Sequence, residues 1–396
     1  MFYRLMGMKR LIRAGLRRAG RCMKQSPALM NLVKPDQVPR NDFLRKLKWV
    51  MFDPAADLFA DSSFSRIRFQ DFDLLFANGP LADPRGIGRV CREQLRALTK
   101  LSGLPVETVQ QAEAGTGTRR SVHFYTSIHW CPDVLPSNTV VMIHDVIPLM
   151  FPKQFGDVIA EWKNRFKAIA AQAGHIVTIS ESSAQEISRF LEVPREKITA
   201  IYNGVTQLPA GDPTEAAVTL PAHPYVVFFG AYGPHKNMDI VLQALARDEI
   251  SGVDLVAIGD NKKRTVLRKV EALGLASRVH FMGKLNDAQA GHVLTCSKGL
   301  VFPSLYEGFG LPPMEAALLG VPSICSNRPA MNETMADVAL FVEPDDVQGW
   351  SNAIHRLVSE AGLGSELGQA ARSRVLSFTW DAAARKLLDV LTRSAK

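Results

Sequence analysis

Short apolar runs alternate along the chain with longer segments in which apolar residues recur every three to four positions. Asp73–Ala77 is one such run and reads as a buried strand. The Gly/Pro-rich loop at 78–88 follows it, and then Val90, Leu95 and Leu98 stand at helical spacing. Strand, loop and helix in that order make an α/β unit. Strands that are apolar throughout are those buried on both faces of a parallel sheet. Further runs at 122–125, 139–143, 175–179 and 198–201 predict a sheet with helical crossovers. The alternation stops between Thr206 and Pro224, where four prolines and Gly211 interrupt a polar stretch that reads as a linker. It restarts at Tyr225–Phe229, Asp254–Ile258, 279–282 and Gly299–Phe302, each trailed by a helix-like segment. Two α/β domains in tandem enclose a cleft, and ligands of open α/β sheets sit beyond the carboxyl ends of the strands.

Composition agrees with two domains, since 396 residues at 46% hydrophobic exceed what one ordinary core needs. The five cysteines form no C-x-x-C pair, and their odd number gives no complete disulfide framework, so a reducing compartment is expected. Charge is uneven. Residues 1–50 carry thirteen Lys/Arg against Asp36 and Asp42, an excess of +11, so the rest of the chain sums to −3 of the total +8. That argues against a nucleic-acid-binding body and directs any anionic partner to the N-terminal arm.

Within the arm, Met8, Leu11, Ile12, Leu16, Ala19 and Met23 recur between arginines as a basic amphipathic stripe. No run of about eighteen apolar residues occurs, and the arm lacks a signal-peptide centre and cleavage site, so it is expected neither to span a membrane nor to be secreted. A helix over residues 1–24 lying on an anionic membrane surface fits the stripe. A solvated helix, a disordered tail and an organelle transit peptide are the alternatives, the last disfavoured by the scarcity of serine.

The densest chemistry lies at Tyr306-Glu-Gly-Phe-Gly-Leu-Pro-Pro-Met-Glu315, between a strand and a helix whose first turn holds proline, where the missing N–H costs nothing. The Gly308-Phe309-Gly310 loop can bring backbone amides to a ligand, and the helix start offers them to a phosphate. Glu307 and Glu315 can each accept hydrogen bonds from hydroxyls on a polyol. Against this stand a plain loop charge at Glu307 and a helix-dipole partner at Glu315.

These residues resemble the retaining glycosyltransferases of family 4, whose pattern is similar to S-x-x-E-G-F-G-L-P-x-x-E-A. Ser304, Glu307, Gly308, Phe309, Gly310, Leu311, Pro312, Glu315 and Ala316 reproduce it. The resemblance extends over nearly everything from Asp73 onward, through Gly86-Ile-Gly88-Arg-Val, His144-Asp145, Ile179-Ser-Glu-Ser-Ser, Tyr202-Asn-Gly-Val and Ser377-Phe-Thr-Trp380. It implies a GT-B fold, two Rossmann-like doubly wound parallel-sheet domains facing across a cleft. The expected division is a basic extension at 1–70, a first domain at 71–208 completed by a C-terminal helix at 379–396, a linker at 209–221, and a nucleotide-sugar-binding domain at 222–378.

The resemblance also implies roles. Glu307 holds the donor sugar, the Phe309 and Gly310 amides meet the diphosphate with Gly308 and Leu311 beside them, and Glu315 binds the ribose. Gly86 and Gly88 lie over the reaction centre, and His144 approaches the transferred sugar. The family neutralises the diphosphate with two basic residues after the first strand of the second domain. Here Ala231 takes the first position and His235 precedes the surviving Lys236.

Asp71-Phe-Asp73 matches the D-x-D of metal-dependent sugar transferases but precedes its strand, and neither glycine loop completes G-x-G-x-x-G/A, so neither a metal nor a nicotinamide cofactor is expected. The expected protein is a bacterial cytoplasmic enzyme, peripheral on the inner face of the plasma membrane. It moves a mannose-type sugar from a nucleotide diphosphate donor to a lipid-linked or surface-polysaccharide acceptor with retention and without a metal. A nucleotide-sugar epimerase of the same fold and a non-catalytic glycan-binding protein are the alternatives.

Overall fold

The computed structural model describes residues 63–83, 86–110, 119–155, 158–209, 218–260 and 263–395. The amphipathic stripe with its membrane reading, and most of the expected linker, lie outside these residues.

Seven strands form the first sheet: β1 (Phe64–Arg68), β2 (Asp73–Ala77), β3 (Glu107–Val109), β4 (Ser121–Tyr125), β5 (Thr139–Met142), β6 (His175–Thr178) and β7 (Ile198–Ala200), in the order β3-β1-β2-β4-β5-β6-β7. Strands β2, β4, β5, β6 and β7 run parallel, and β1 pairs antiparallel with both β2 and β3 toward the edge. Alternate residues of β5 enter different cores. Val140 and Met142 join one cluster and Val141 the other, which is why the strand is apolar at these positions.

The first domain begins earlier than residue 71, because β1 lies inside the stretch assigned to the basic extension. Its two arginines hide it from pattern reading. In the fold Phe64 and Ile67 are buried, while Arg66 and Arg68 both reach Glu107 on β3. Asp73, half of the D-x-D, sits at the start of β2 and is held by Arg119 at 3.1 Å.

The second sheet holds β8 (Tyr225–Phe229), β9 (Asp254–Ile258), β10 (Val279–Gly283), β11 (Gly299–Phe302), β12 (Ser323–Ser326) and β13 (Leu340–Val342), all parallel, in the order β10-β9-β8-β11-β12-β13. Counted within the domain this is 3-2-1-4-5-6, the doubly wound order, and its direction reverses between β8 and β11. The crevice beyond the carboxyl ends of those two strands is where such sheets bind ligands.

The chain then returns to the first domain. Gly204 permits the crossing, since a Cβ there would lie 2.3 Å from the Trp380 nitrogen, and Val205 N donates to Phe378 O at 3.0 Å. The Trp380–Ser394 helix, capped by the Thr379 hydroxyl, buries Ala384, Leu387, Val390 and Leu391 in one core with Val90 and Leu98 of the Gly86–Ser102 helix. The rings of Phe309, Tyr202 and Phe378 pack with centroids 5.6–6.4 Å apart and carry this core from one domain to the other.

Candidate active site

Two loops meet at the point where the second sheet reverses. After β8 the chain turns through Pro234–Lys236, and after β11 it runs from Pro303 to Gly310 before the Leu311–Leu318 helix. Leu305 N donates to His235 O at 2.7 Å and ties the loops together. Lys236 Nζ then lies 2.5 Å from Glu307 Oε1, with both side chains largely buried, and 5.4 Å from the centre of the Phe302 ring. Gly310 adopts φ +85° to start the helix, and a Cβ there would meet Met331 Cε at 2.2 Å. As the residue at the cap position, Gly310 offers the helix no side-chain acceptor. Pro312 and Pro313 carry no N–H and Met314 N bonds Gly310 O at 3.4 Å, so among the first four helical residues Leu311 alone has an amide to offer a ligand, beside those of the Gly308-Phe309-Gly310 loop.

Glu315 lies one turn into the helix and is buried. Burial pushes its carboxyl up to about 7, opposed by the Arg89 guanidinium. Arg89 comes from the other domain, on the Gly86–Ser102 helix. One of its terminal nitrogens bonds Glu315, and the other reaches Asp287 at 2.8 and 3.0 Å.

The first domain contributes His144 and Asp145, just past β5. His144 Nε2 donates to the Thr126 carbonyl at 2.8 Å, which leaves Nδ1 as an acceptor. Burial lowers the imidazole to about 4, the carbonyl opposing, so the ring is neutral at pH 7. Burial lifts Asp145 to about 6 against the pull of the Ile147 amide, with the Glu307 charge adding to the rise. Gly308 lets the second-domain loop press against this pair, because a Cβ would fall 2.9 Å from Ile179 Cδ1, 3.1 Å from His144 O and 3.3 Å from Asp145 Cβ. Ser180 Oγ donates to Gly308 O at 2.6 Å. Glu333 of the second domain accepts from the Glu181 and Ser182 amides at 2.7 and 3.0 Å, closing the start of the Glu181–Leu191 helix.

The remaining expected residues lie on the same segments. A Cβ on Gly86 would sit 3.9 Å from Leu311 Cδ1, and one on Gly88 would strike the Asp83 carbonyl at 1.8 Å. Phe309 is buried in the interdomain core, so its side chain anchors the loop. The His235 ring lies 6.0 Å from Phe151, and burial lowers its pKa with Lys236 adding to the effect. Ala231 is exposed just past the end of β8. The motif pattern did not identify Asp287, Ser180 or Glu333 as site partners. For Arg89 the one signal in the sequence is its place directly after Gly86-Ile-Gly88 at the start of a helix, which does not say that it crosses to Glu315. Among the described residues, no group of three or more His, Cys, Asp or Glu side chains is arranged to hold a metal ion, and no helix is long and apolar enough to cross a membrane.

The two buried carboxyls make stability depend on pH. Glu315 and Asp145 have folded pKa values above their ordinary ones, so the folded state binds the extra protons. Their contribution is present at low pH and is lost as pH rises through about 6 and about 7. His144, depressed from 6.5 to about 4, acts oppositely and loses its contribution as pH falls through that range. Glu315→Gln should therefore flatten the fall in melting temperature between about pH 4.5 and 7. The same slope in parent and variant would show that Glu315 does not titrate there.

Comparison with known proteins gives this site a setting. Residues 217–374 match the model "Glycosyl transferases group 1" and residues 121–206 match "Glycosyltransferase Family 4". The chain is 27% identical over 233 residues to the O-antigen chain mannosyltransferase RfbU of Salmonella typhimurium, covering 59% of this chain and 64% of that one. It is 27% identical over 278 residues to the serotype-specific mannosyltransferase WbdA of Escherichia coli, covering 66% of this chain and 34% of that one. The chain thus spans less than two thirds of these curated relatives. Sucrose-phosphate synthase from Thermosynechococcus elongatus superposes with a TM-score of 0.59 at 21% identity, over 71% of this chain and 75% of that one. A Glycosyltransferase Family 4 match thus leads into a Glycosyl transferases group 1 match along the chain, and its two α/β sheets around one crevice have the GT-B fold.

Proposed function

We propose that the chain is a retaining glycosyltransferase that moves a mannose-type sugar from a nucleotide diphosphate donor to a lipid-linked or surface-polysaccharide acceptor. The Lys236–Glu307 pair beside the Gly308-Phe309-Gly310 loop and the start of the Leu311–Leu318 helix carries this reading, because it sets a carboxylate for sugar hydroxyls next to a cation and loop amides for phosphate. The mannosyltransferase names of RfbU and WbdA support the choice of sugar and acceptor. Glu315, one turn further on, takes the ribose hydroxyls. The epimerase and glycan-binding alternatives are not favoured by these relatives.

In this reading the bond from the anomeric carbon to the diphosphate breaks, and the acceptor oxygen bonds to that carbon on the same face. The acceptor proton passes to the departing phosphate oxygen. Charge grows on the diphosphate during the step, so Lys236 and the amides of the glycine loop and Leu311 stabilise the transition state more than the ground state. Neutral His144, fixed by Thr126, accepts a hydrogen bond from the sugar at Nδ1.

Incubation of purified protein with a panel of nucleotide sugars, with and without acceptor glycan, tests the proposal by NMR of the product. Acceptor-dependent transfer with an unchanged anomeric configuration is expected. Inversion removes the retaining mechanism, and change in the donor sugar without acceptor indicates epimerisation. EDTA should leave the rate within about twofold of the untreated enzyme, since cation and amides meet the diphosphate charge. Complete loss in EDTA with rescue by manganese or magnesium overturns metal independence.

A further inference from the structure

Both carboxylates of the motif are matched by cations from other segments, Glu307 by Lys236 and Glu315 by Arg89. A nucleotide sugar has hydroxyls at its two ends and a diphosphate between them. If its ends take the carboxylates, the cations held there are displaced toward the middle. Lys236 already serves the diphosphate in the proposed function, on which this inference rests. We propose that Arg89 is the second diphosphate cation, parked on Glu315 and Asp287 in the donor-free site and released to the phosphates when the ribose takes Glu315.

Three observations carry this. The start of Arg89's own helix packs on Leu311, the first residue of the helix that carries Glu315, since a Cβ on Gly86 would lie 3.9 Å from Leu311 Cδ1. Glu315 is four residues beyond Leu311, about 6 Å along the helix, a distance that a guanidinium on a three-carbon stem can cover by changing rotamer. Between β8 and the Met238–Leu245 helix Lys236 is the one Lys or Arg, so the second-domain loop supplies it without a second permanent cation.

The exchange is also inexpensive. Asp287 is 62% exposed and is solvated once Arg89 leaves, while Glu315, which is buried, receives hydroxyl donors in place of the guanidinium. The planar fork of arginine suits phosphate oxygens, so Lys at this position keeps the charge and loses the paired bonds.

Titrations of parent, Arg89→Ala and Arg89→Lys with UDP, GDP, ADP and dTDP, and with the matching nucleosides, provide the test. For the diphosphate that binds the parent, the ratio of diphosphate to nucleoside affinity should fall at least about tenfold in Arg89→Ala and by less in Arg89→Lys. A merely structural role for Arg89 weakens both ligands together and leaves the ratio unchanged, which overturns the exchange while the donor reading stands. A parent protein that binds none of the four diphosphates overturns the donor reading and this inference with it. Should Arg89→Ala fail to fold, Asp287→Asn decides. Loosening the parked state should raise the ratio about twofold, and a ratio that does not rise overturns the proposal.

Discussion

Glu307→Ala should cut sugar transfer at least about 100-fold, roughly 2.7 kcal/mol of barrier. In the proposed reaction Glu307 holds the sugar while the anomeric bond breaks, so its loss removes both orientation and a charge that keeps Lys236 in place at 2.5 Å. The fold should survive. The carboxylate stands on a loop, and the loop is anchored independently by buried Phe309, by the Ser180–Gly308 bond and by the Leu305–His235 bond. Leaving Lys236 unpaired should lower the melting temperature, because the pair is largely buried and the ammonium loses its counter-charge. Initial rates with saturating acceptor, together with a thermal melt, measure both effects. Transfer at near the parent rate would remove Glu307 from the site.

The Lys236→Ala enzyme should lose about 100-fold in kcat/KM, expressed in both donor KM and kcat, and more than His235→Ala loses. The structure separates the two neighbours. His235 makes its bond to Leu305 through its backbone carbonyl, and burial with Lys236 beside it lowers the imidazole pKa, so its side chain brings no full charge at neutral pH. Lys236 brings a compact ammonium on the crevice side of Phe302. Removing it also leaves Glu307 and Asp145 as neighbouring acids without their cation. Donor-varied kinetics of both variants decide the matter. Unchanged donor KM and kcat in Lys236→Ala would mean that the diphosphate is held elsewhere.

Much of the architecture was legible because parallel strands are buried on two faces. Tyr225–Phe229 is apolar at every position since Val226 and Phe228 enter one core and Tyr225 and Val227 the other. Four strands were not legible in this way. β1 carries arginines, β3 begins with an exposed glutamate, β12 begins and ends with serine, and β13 is three residues long. The polar partners of such strands lie elsewhere in the chain, as the β1 arginines find Glu107 on β3.

The candidate site divides along the same line. Glu307, Gly308, Gly310 and Glu315 lie within nine residues of one another, so their spacing on a loop and a first helical turn is a local property that the amino-acid order determines by itself. The partners of those residues are not local. Lys236 meets Glu307 across 71 positions, Ser180 meets Gly308 across 128, Glu333 caps Glu181 across 152 and Arg89 meets Glu315 across 226. Burial of Glu315 and His144, and with it their protonation, follows from the same packing. No pattern in the chain encodes these pairings singly; Lys236 meets Glu307 because β8 and β11 are neighbours in the second sheet, the other three exist because the two sheets dock through one core, and only the assembled geometry decides which charge stands opposite which.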